Sequence, residues 1–511
     1  MRRLIPMFFA VLLAGIVVGQ PLSGSYDIPG DYATIALAVA DLNVKNVGSG
    51  GVTFNVAANH TETVTAPITI QVTGTAGNTI VFQKSGSGNN PLITRTDAGT
   101  ISTTGYGASG DAIIRMEGTD YITFDGISLQ SNNQGIEYGY MTHKTSATNG
   151  SQYVTIKNAV ISMTKGTSGM VIGIYIGNGS TSTSSATGVT VTALTGRNTN
   201  ILITGNTVRG THSALAFRGS SATGFADDNI TIGASGEGNL LENYGGGNVS
   251  AAHGVYMIYA TNVNISHNTF NNSGGGGSPH TSTLYGVFLS SGVAGDIVMN
   301  NNDITLANTA ASSASQGLYS ANAAASYAVH NNTFSSGTIT STGTLYLIYL
   351  SSNCQNVNVS GNQINSSFER SSASGTMYCY YNSGSPAAGT ENIFDNNFSN
   401  ITVSGSTSFY GIYSSTLAAH TANIYSNVVS NISAGTGSLY GIYGATSNTR
   451  SIYTNSVYGL NNSGIIYGIY VSGGNPALVF DNEVFNLTSA SSSATTTQMV
   501  NGIYVAGGTN T

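Results

Sequence analysis

Residues 357–364 are Val357-Asn358-Val359-Ser360-Gly361-Asn362-Gln363-Ile364, a short alternating strand that ends in an asparagine with an apolar residue two places later. The same pattern recurs at Val263-Asn264-Ile265-Ser266-His267-Asn268-Thr269-Phe270. The asparagine slot is filled by Asn206, Asn268, Asn302, Asn332, Asn362, Asn396, Asn427, Asn455 and Asn482. The interval between Asn206 and Asn268 is about twice as long as the others, so it spans two repeats. A period of about 30 residues is typical of a solenoid protein.

A second strand recurs out of phase with the first, as in Leu439-Tyr440-Gly441-Ile442-Tyr443. Its central slot holds Gly173, Gly254, Gly286, Gly317, Leu347, Cys379, Gly411, Gly441, Gly468 and Gly502. Wherever the two repeats run in step, this slot precedes the next asparagine by half a period. Each coil therefore carries at least two strands, and their period of two gives each strand an inner and an outer face.

The composition and the repeat length favour a β-helix over a helical solenoid or a β-propeller. Gly, Asn, Thr and Ser fill the repeats, where a helical solenoid would need Ala, Leu, Glu or Lys. A β-propeller blade needs roughly 40 residues, more than this repeat offers. With 40% hydrophobic and only 7% charged residues, the chain is too apolar for simple disorder. The sequence predicts an all-β fold, a right-handed parallel β-helix with about 30 residues per coil.

Three regions are predicted along the 511 residues. Residues 1–19 are expected to be a secretory signal peptide, because Arg2 and Arg3 precede an apolar run too short to span a membrane. Residues 20–50 form an N-terminal capping segment with a helix over 31–43, for which Asp31 is the candidate N-cap. Residues 51–511 form the β-helix. Its first strands are predicted at 52–56, 68–72, 79–83, 113–116 and 121–129.

The charge distribution limits the partners. After Arg218 only Arg370 and Arg450 remain as basic residues, against eleven acidic residues in the same stretch. Nucleic acid and anionic lipid both need clustered Lys or Arg, so neither is expected as a partner, and a polyuronate substrate is disfavoured for the same reason. No membrane span is expected in the mature chain.

Neither cofactor nor metal is expected. The cysteines and histidines lack zinc-ligand spacing, and the sequence contains no calcium-binding repeat or EF-hand loop. Cys354 and Cys379 either pair in an oxidising compartment or remain free thiols, and the sequence leaves both alternatives open.

With these repeats in view, the chain resembles the right-handed β-helix, or pectin-lyase-like, superfamily. It is similar in particular to large surface proteins secreted by Bacteroidetes through the type IX route, whose N-terminal module resembles Gly24-Ser25-Tyr26 through Ile35 and Val52-Thr53-Phe54-Asn55-Val56. The resemblance implies secretion or display at the bacterial cell surface. Those proteins often end in a sorting domain. This chain ends within the first strand of a coil, at 501–505, so we expect it to be truncated at its C-terminus.

The superfamily includes galacturonases, and two of their elements have counterparts here, Asp227-Asp228 and His253-Gly254. No Asn-Thr-Asp motif precedes them at a coil's distance, and no Arg-x-Lys motif follows. Gly254 is moreover the ordinary repeat glycine. We therefore predict no catalytic residues and interpret Asp227 and Asp228 as loop carboxylates.

The best ligand-binding candidates are aromatic. Two places after the repeat slot the residues are Tyr175, Tyr256, Phe288, Tyr319, Tyr349, Tyr381, Tyr413, Tyr443, Tyr470 and Tyr504. The residue before each is aliphatic except for Tyr380, so alternation predicts an aliphatic interior and an outward aromatic column. Tyr413, Tyr443 and Tyr470 are the candidate site. In the alternative, the aromatic residues point inwards or lie under loops and only stabilise the fold.

These observations give two hypotheses for the function. The first is a secreted or cell-surface β-helix with a structural, adhesive or glycan-binding role, whose partner is a glycan or another surface protein. The second is a polysaccharide-degrading enzyme, a glycoside hydrolase or lyase, with its site in an irregular loop.

Overall fold

The computed structural model describes residues 19–102, 110–166, 170–180, 188–246, 251–322, 324–351, 353–384, 388–416, 420–446, 449–491 and 499–507. The predicted signal peptide lies outside these residues except for Gly19. Within them the chain is a parallel β-helix, as the sequence predicts.

Three long parallel sheets run along the solenoid, and the chain visits them in the same order in every coil. The first sheet contains Leu22–Ile28, Val47–Ala57, Ile80–Ser85, Ile122–Asp125, Val154–Lys157, Thr199–Thr204, Asp227–Ile232, Ala260–Ser266, Ala294–Asn300, Ser326–His330, Asn356–Ser360, Gly389–Phe394, His420–Tyr425, Thr449–Tyr453 and Ala477–Phe480. The second contains Thr61–Val64, Leu92–Arg95, Ser128–Ser131, Val160–Ser162, Thr207–Arg209, Leu240–Glu242, Thr269–Asn271, Asp303–Asn308, Thr333–Ile339, Gln363–Ile364, Phe368–Arg370, Asn397–Val403, Val428–Ala434, Ser456–Asn462 and Glu483–Ser489. The third contains Ile68–Ile70, Ala112–Glu117, Tyr138–His143, Ile172–Ile176, Ser213–Arg218, Ala252–Ile258, Leu284–Leu289, Ser315–Ser320, Leu345–Leu350, Thr376–Asn382, Ser408–Ser414, Leu439–Gly444, Ile466–Val471 and Val500–Val505.

The interior is a continuous stack of aliphatic and aromatic side chains from all three sheets. Ile393, Ile424 and Ile452 are aligned in the first sheet and fully buried. Near the N-terminus the interior instead holds stacked phenylalanines, with Phe54 and Phe82 4.6 Å apart between ring centroids. Burying such side chains in every coil stabilises a body in which each coil packs against its neighbours.

The stretch around each repeat asparagine, predicted as one strand, consists of two strands separated by a tight turn. The residue before the asparagine adopts a left-handed conformation, with φ of 64° at Gly361, 53° at Asn301 and 54° at Asp395. The chain therefore turns a corner at the asparagine and enters the second sheet. For the same reason the strand predicted at 121–129 is two strands that flank Gly126, which has φ of 73°.

The repeat asparagines lie one above another inside this turn. Asn332 Nδ2 donates to Asn362 Oδ1 at 2.9 Å and to the carbonyl of Met299 at 2.9 Å. Asn362 Oδ1 also accepts from the backbone N–H of Asn332 at 3.0 Å. The same contacts link Asn206, Asn239, Asn268, Asn302, Asn332, Asn362, Asn396, Asn427, Asn455 and Asn482, all buried except the half-buried Asn482. Each amide thus satisfies turn backbone that faces away from water.

Asn239 fills the gap in the sequence repeat between Asn206 and Asn268. It donates to Asn268 Oδ1 at 2.8 Å and accepts from Asn206 Nδ2 at 3.0 Å. The turn before it is longer than elsewhere and includes Gly233 and Gly236, both with positive φ. The usual spacing from strand to asparagine is therefore lost, which hid this member in the sequence.

A helix covers the first coil, as predicted, but its bounds differ. It spans Ile35–Lys45, and the N-cap is Thr34 rather than Asp31. The hydroxyl of Thr34 accepts from the N–H of Leu37, and the carboxylate of Glu62 accepts from the N–H groups of Ile35 and Ala36 at 2.8 and 3.0 Å. Asp31 is occupied elsewhere, because its carboxylate accepts from the backbone N–H of Asp27, in the first strand, at 2.8 Å. No helix in the described part of the chain is long and apolar enough to cross a membrane.

Candidate functional site

The outer face of the third sheet carries two adjacent aromatic columns, which we call the tyrosine strip. The first column precedes the repeat glycine by one residue and contains Tyr285, Tyr346, Tyr378, Tyr410, Tyr440 and Tyr467. The second follows it by two and contains Phe288, Tyr319, Tyr349, Tyr381, Tyr413, Tyr443, Tyr470 and Tyr504. Parallel pairing aligns each column across eight successive coils, with Gln316 and Asn501 completing the first column.

Two consecutive inward residues, the repeat slot and the residue after it, explain why both columns face outwards. Gly441 and Ile442 are consecutive buried residues, and the half-exposed Tyr440 and Tyr443 flank them. A Cβ atom at Gly441 would lie 2.5 Å from Cγ1 of Val457 in the core, so only glycine fits. Two successive residues turn inwards, the alternation shifts by one, and the aromatic residues on both sides emerge on the same face.

The rings of each column stack on one another. Ring centroids of Tyr410 and Tyr440 are 4.7 Å apart with planes 2° from parallel, and those of Tyr413 and Tyr443 are 4.5 Å apart at 18°. Between columns, Tyr440 and Tyr443 meet edge to face at 81°. Because ring carbons make contact at about 3.5 Å, the stacked rings must be slipped. A ligand therefore meets ring edges and partly covered ring faces.

Small residues, five serines and three alanines, follow the second column by two places in the eight coils. Ser415 is hydrogen-bonded to Tyr413 of the second column, and Ser438 to Tyr440 of the first. The residues equivalent to Ser415 in the other coils are Ser290, Ala321, Ser351, Ser383, Ala445, Ser472 and Ala506. The strip thus has an aromatic centre and tyrosine hydroxyls directed towards both edges.

The strip is uncharged at neutral pH. Burial, reinforced by neighbouring tyrosines, raises the pKa of Tyr413 and of Tyr440 to about 12. Each hydroxyl therefore keeps its proton and can both donate and accept a hydrogen bond.

The structure brings the predicted residues Tyr413, Tyr443 and Tyr470 together in the second column, where each is half-buried and faces outwards. Tyr175 lies on the same outward face, in register with Ala216, Tyr256 and Phe288, but it is only 1% exposed and packs 5.2 Å from Tyr138. Met170 packs against this buried cluster, which is separate from the interior of the solenoid. The outward position of Tyr175 agrees with the prediction, but its ring is covered, as in the alternative in which the aromatic residues only stabilise the fold.

The first column was missed in the sequence. Strict alternation assigns Tyr440 to the same face as Ile442, hence to the interior. A tyrosine immediately before the repeat glycine was the available signal, because a Gly with no room for a Cβ atom allows the alternation to shift.

The structure does not bring Asp227 and His253 together. Asp227 pairs with Ala260 in the first sheet, whereas His253 lies in the third sheet and pairs with Ser213. His253 stacks on Tyr285 with 5.0 Å between centroids, and burial lowers its pKa to about 3.

Asp227 is instead half of a buried ion pair that the sequence did not indicate. Its carboxylate lies 3.9 Å from Lys144 Nζ and accepts two hydrogen bonds from Asn198, both at 2.9 Å. Asp228 is partly exposed and faces Arg197 at 3.5 Å. These contacts are structural, and they leave no free carboxylate pair at this position.

The two basic residues that follow Arg218 are both inside the protein. Arg370 and Arg450 are 0% exposed and donate to backbone carbonyls, Arg450 to those of Ala445 and Gly473 at 2.5 and 3.0 Å. From residue 219 onwards, the described surface therefore exposes no lysine or arginine side chain.

Cys354 and Cys379 are free thiols in the structure, and both are buried. Burial raises the pKa of Cys354 to about 11 and that of Cys379 well above its usual range. Neither is a reactive thiolate at neutral pH. Within the described ranges, no group of three or more His, Cys, Asp or Glu side chains could hold a metal ion.

Fold and surface define an all-β parallel β-helix protein with an aromatic strip along one sheet. No family model and no curated protein matches the sequence. One similar solved structure is a mannuronic-acid-specific polysaccharide lyase of family 6 from the human gut microbiota, with 10% identity and a TM-score of 0.28 over 90% of this chain and 83% of that one. Another is the surface protein and adhesin PfbA of Streptococcus pneumoniae, with 11% identity and a TM-score of 0.23 over 93% and 96%. Both are too distant to indicate what this chain binds.

Proposed function

We propose that this protein is a secreted or cell-surface β-helix that binds glycan on the tyrosine strip and has no catalytic activity of its own. The observation that carries the proposal is the strip itself, which presents two outward aromatic rings in six of its eight coils and one in the other two. The largest contiguous apolar patch on a soluble monomer is often a functional contact site. Aromatic rings with hydroxyl groups suit sugars, which combine apolar C–H faces with hydroxyl edges.

A second protein copy is a weaker candidate for the partner. Eight coils at about 4.8 Å give the aromatic surface a length of roughly 34 Å, and its two columns are about 10 Å across. The resulting area of roughly 340 Å² is less than half of the about 800 Å² that each partner of a stable complex buries. A thin linear ligand fits this shape better than a folded partner.

Degradation of the bound glycan is not part of the proposal. Acid–base hydrolysis needs two carboxyl groups about 5 to 9.5 Å apart and accessible to the sugar. Asp227 is fully buried against Lys144, and His253 is buried beside Tyr285 and Tyr256. The enzyme hypothesis gains no support from these residues.

The test is a glycan array probed with the wild-type chain and two triple variants. The strip variant carries Tyr413→Ala, Tyr443→Ala and Tyr470→Ala. The matched control carries Phe394→Ala, Tyr425→Ala and Tyr453→Ala, which remove an equal number of outward rings stacked at 5.0 Å on the first sheet. We expect wild type and control to bind and the strip variant to lose binding while it retains its β-sheet circular dichroism. Absence of binding by the wild type, or equal loss in both variants, would overturn the proposal.

A further inference from the structure

We infer that the glycan is an uncharged, extended β-linked polysaccharide that lies along the solenoid axis with one sugar unit on each coil. This inference rests on the proposed function and adds the direction, the linkage and the charge of the ligand. Three features of the strip support it: its repeat distance, its cross-section and the charge of its surroundings.

The repeat distance is set by strand pairing. Tyr410, Tyr440 and Tyr467 occupy equivalent positions in successive coils. A flat, extended β-linked pyranose chain advances by about 5 Å per sugar, close to the roughly 4.8 Å between coils. Each sugar along the axis therefore meets the same pair of ring positions as the previous one. Over seven steps the two repeats drift apart by only about 1.4 Å, which side-chain tilting can absorb.

The cross-section of the strip matches that of a flat glycan ribbon. Such a ribbon presents C–H groups on its faces and equatorial hydroxyls along both edges. The strip presents aromatic rings in its centre, with Tyr413 and Ser415 on one edge and Tyr440 and Ser438 on the other. An α-linked chain coils instead of lying flat, so it leaves a straight strip after a few units.

The charge of the surroundings favours a neutral ligand. A polyanion would find no exposed lysine or arginine in the described coils that carry the strip, because Arg370 and Arg450 are fully buried. A polyuronate would thus lose hydration without gaining a counter-charge. A neutral sugar gains hydrogen bonds from the tyrosine and serine hydroxyls at no such cost, and its binding should depend little on salt.

The first experiment measures affinity by calorimetry for oligosaccharides of two to eight units. The β-linked series contains cello- and chito-oligosaccharides, the α-linked series contains malto-oligosaccharides, and oligogalacturonate is the charged ligand. We expect β-linked affinity to rise with length up to about eight units, one per coil of roughly 4.8 Å. Malto-oligosaccharides and oligogalacturonate of equal length should bind at least about tenfold more weakly.

The second experiment tests the direction of the ligand. The double variant Tyr410→Ala, Tyr413→Ala removes both rings of one coil in the middle of the strip. Four coils of the strip remain on the N-terminal side of that gap. We expect the length at which affinity stops rising to shorten from about eight units to about four, since each unit spans roughly one 4.8 Å coil. The matched control, Tyr425→Ala with Tyr453→Ala on the first sheet, should leave that length unchanged.

The outcomes separate the two proposals. If no glycan binds the wild type, the proposed function fails. If malto-oligosaccharides or oligogalacturonate bind as tightly as the β-linked series, the proposed function stands and the inference is wrong. The inference is also wrong if affinity stops rising at two or three units, or if the mid-strip variant leaves the plateau length unchanged, because the glycan would then lie across the coils.

Discussion

Nζ of Lys144 lies 3.9 Å from Oδ1 of Asp227, and neither side chain is exposed to solvent. Lys144 also donates to the carbonyl of Gly196 at 2.7 Å. Removing one member of a buried ion pair leaves the other as an uncompensated charge and costs about 3–5 kcal/mol. We expect Asp227→Asn to lower the free energy of unfolding by about that amount in urea titrations. Asp227→Asn with Lys144→Met should recover most of the loss, since it removes both charges and keeps an amide oxygen that can accept from Asn198. An Asp227→Asn variant as stable as wild type would contradict the pairing.

The carboxylate of Asp228, next to Asp227 in the sequence, provides a test of catalysis. Asp228 is partly exposed and accepts from Thr261 and Asn262 at 2.9 and 2.8 Å. Because these described contacts offer it no second carboxylate, we expect wild type and Asp228→Asn alike to show no turnover of pectic or related glycans in a reducing-sugar assay. Hydrolysis by the wild type that disappears in Asp228→Asn would restore the enzyme hypothesis.

The stability cost of replacing a stacked asparagine should depend on its position in the stack. Asn362 is fully buried, and Nδ2 donates to Asn396 Oδ1 and to the carbonyl of Val329, both at 2.9 Å. Asn362→Ala leaves buried turn groups unpaired and should cost about 1–3 kcal/mol in chemical unfolding. Asn482→Ala is the matched control, because Asn482 ends the stack and is half-buried. Equal losses in the two variants would show that burial in the stack does not determine the cost.

Acid should destabilise the protein through its buried histidines. Burial lowers the pKa of His253 to about 3 and that of His143 to about 4, against an ordinary value of 6.5. The unfolded chain takes up protons below pH 6.5 while the folded chain does not, so stability falls as pH decreases. For His253 the loss is about 1.4 kcal/mol per pH unit between pH 6.5 and 3.

Thermal unfolding measured from pH 7 to pH 4 checks this expectation. His253→Phe keeps an aromatic ring against Tyr285 and removes the titrating group, so its melting temperature should fall less steeply with acid than that of the wild type. His267→Asn is the control, because Asn tolerates the left-handed conformation of this turn residue, whose φ is 60°. Parallel pH profiles for wild type and His253→Phe would exclude the contribution of His253.

The sequence predicts the solenoid, its period and its N-terminal helix, because each depends on a repeated local pattern. The three strands per coil agree with the predicted minimum of two, but the third was not identified, since the second sheet follows the asparagine without a separate marker and its strands can be as short as Gln363–Ile364. Lys144 has no local feature that indicates its partner Asp227, which is distant in sequence and meets it only through coil stacking. Contacts between coils depend on register, and register is set by loop lengths that vary from coil to coil.

The tyrosine strip could likewise be predicted only in part from the sequence. Its second column follows from period two, whereas its first column depends on whether a residue at the repeat slot has room for a side chain. At Gly441 there is none, because Val457 fills the space. Leu347 and Cys379 occupy the same slot with buried side chains, so the slot does not require glycine in every coil. The facing strand of the second sheet and the backbone of the next coil both decide, since a Cβ atom at Gly441 would also lie 2.5 Å from the carbonyl oxygen of Gly468.

The space available at the repeat slot differs between Gly441 and Gly502. A Cβ atom at Gly441 would lie 2.5 Å from Val457 Cγ1, whereas at Gly502 the nearest side-chain atom would be 4.0 Å away. Gly441→Ala should therefore cost about 1–3 kcal/mol through overpacking, and Gly502→Ala should be nearly neutral. Because Gly441 separates Tyr440 from Tyr443, its substitution should also disturb the strip and weaken glycan binding beyond the loss of stability. The measurements are urea unfolding and glycan affinity at a temperature where both variants are folded. A Gly441→Ala variant with wild-type stability and affinity would show that the glycine does not hold the two columns on one face.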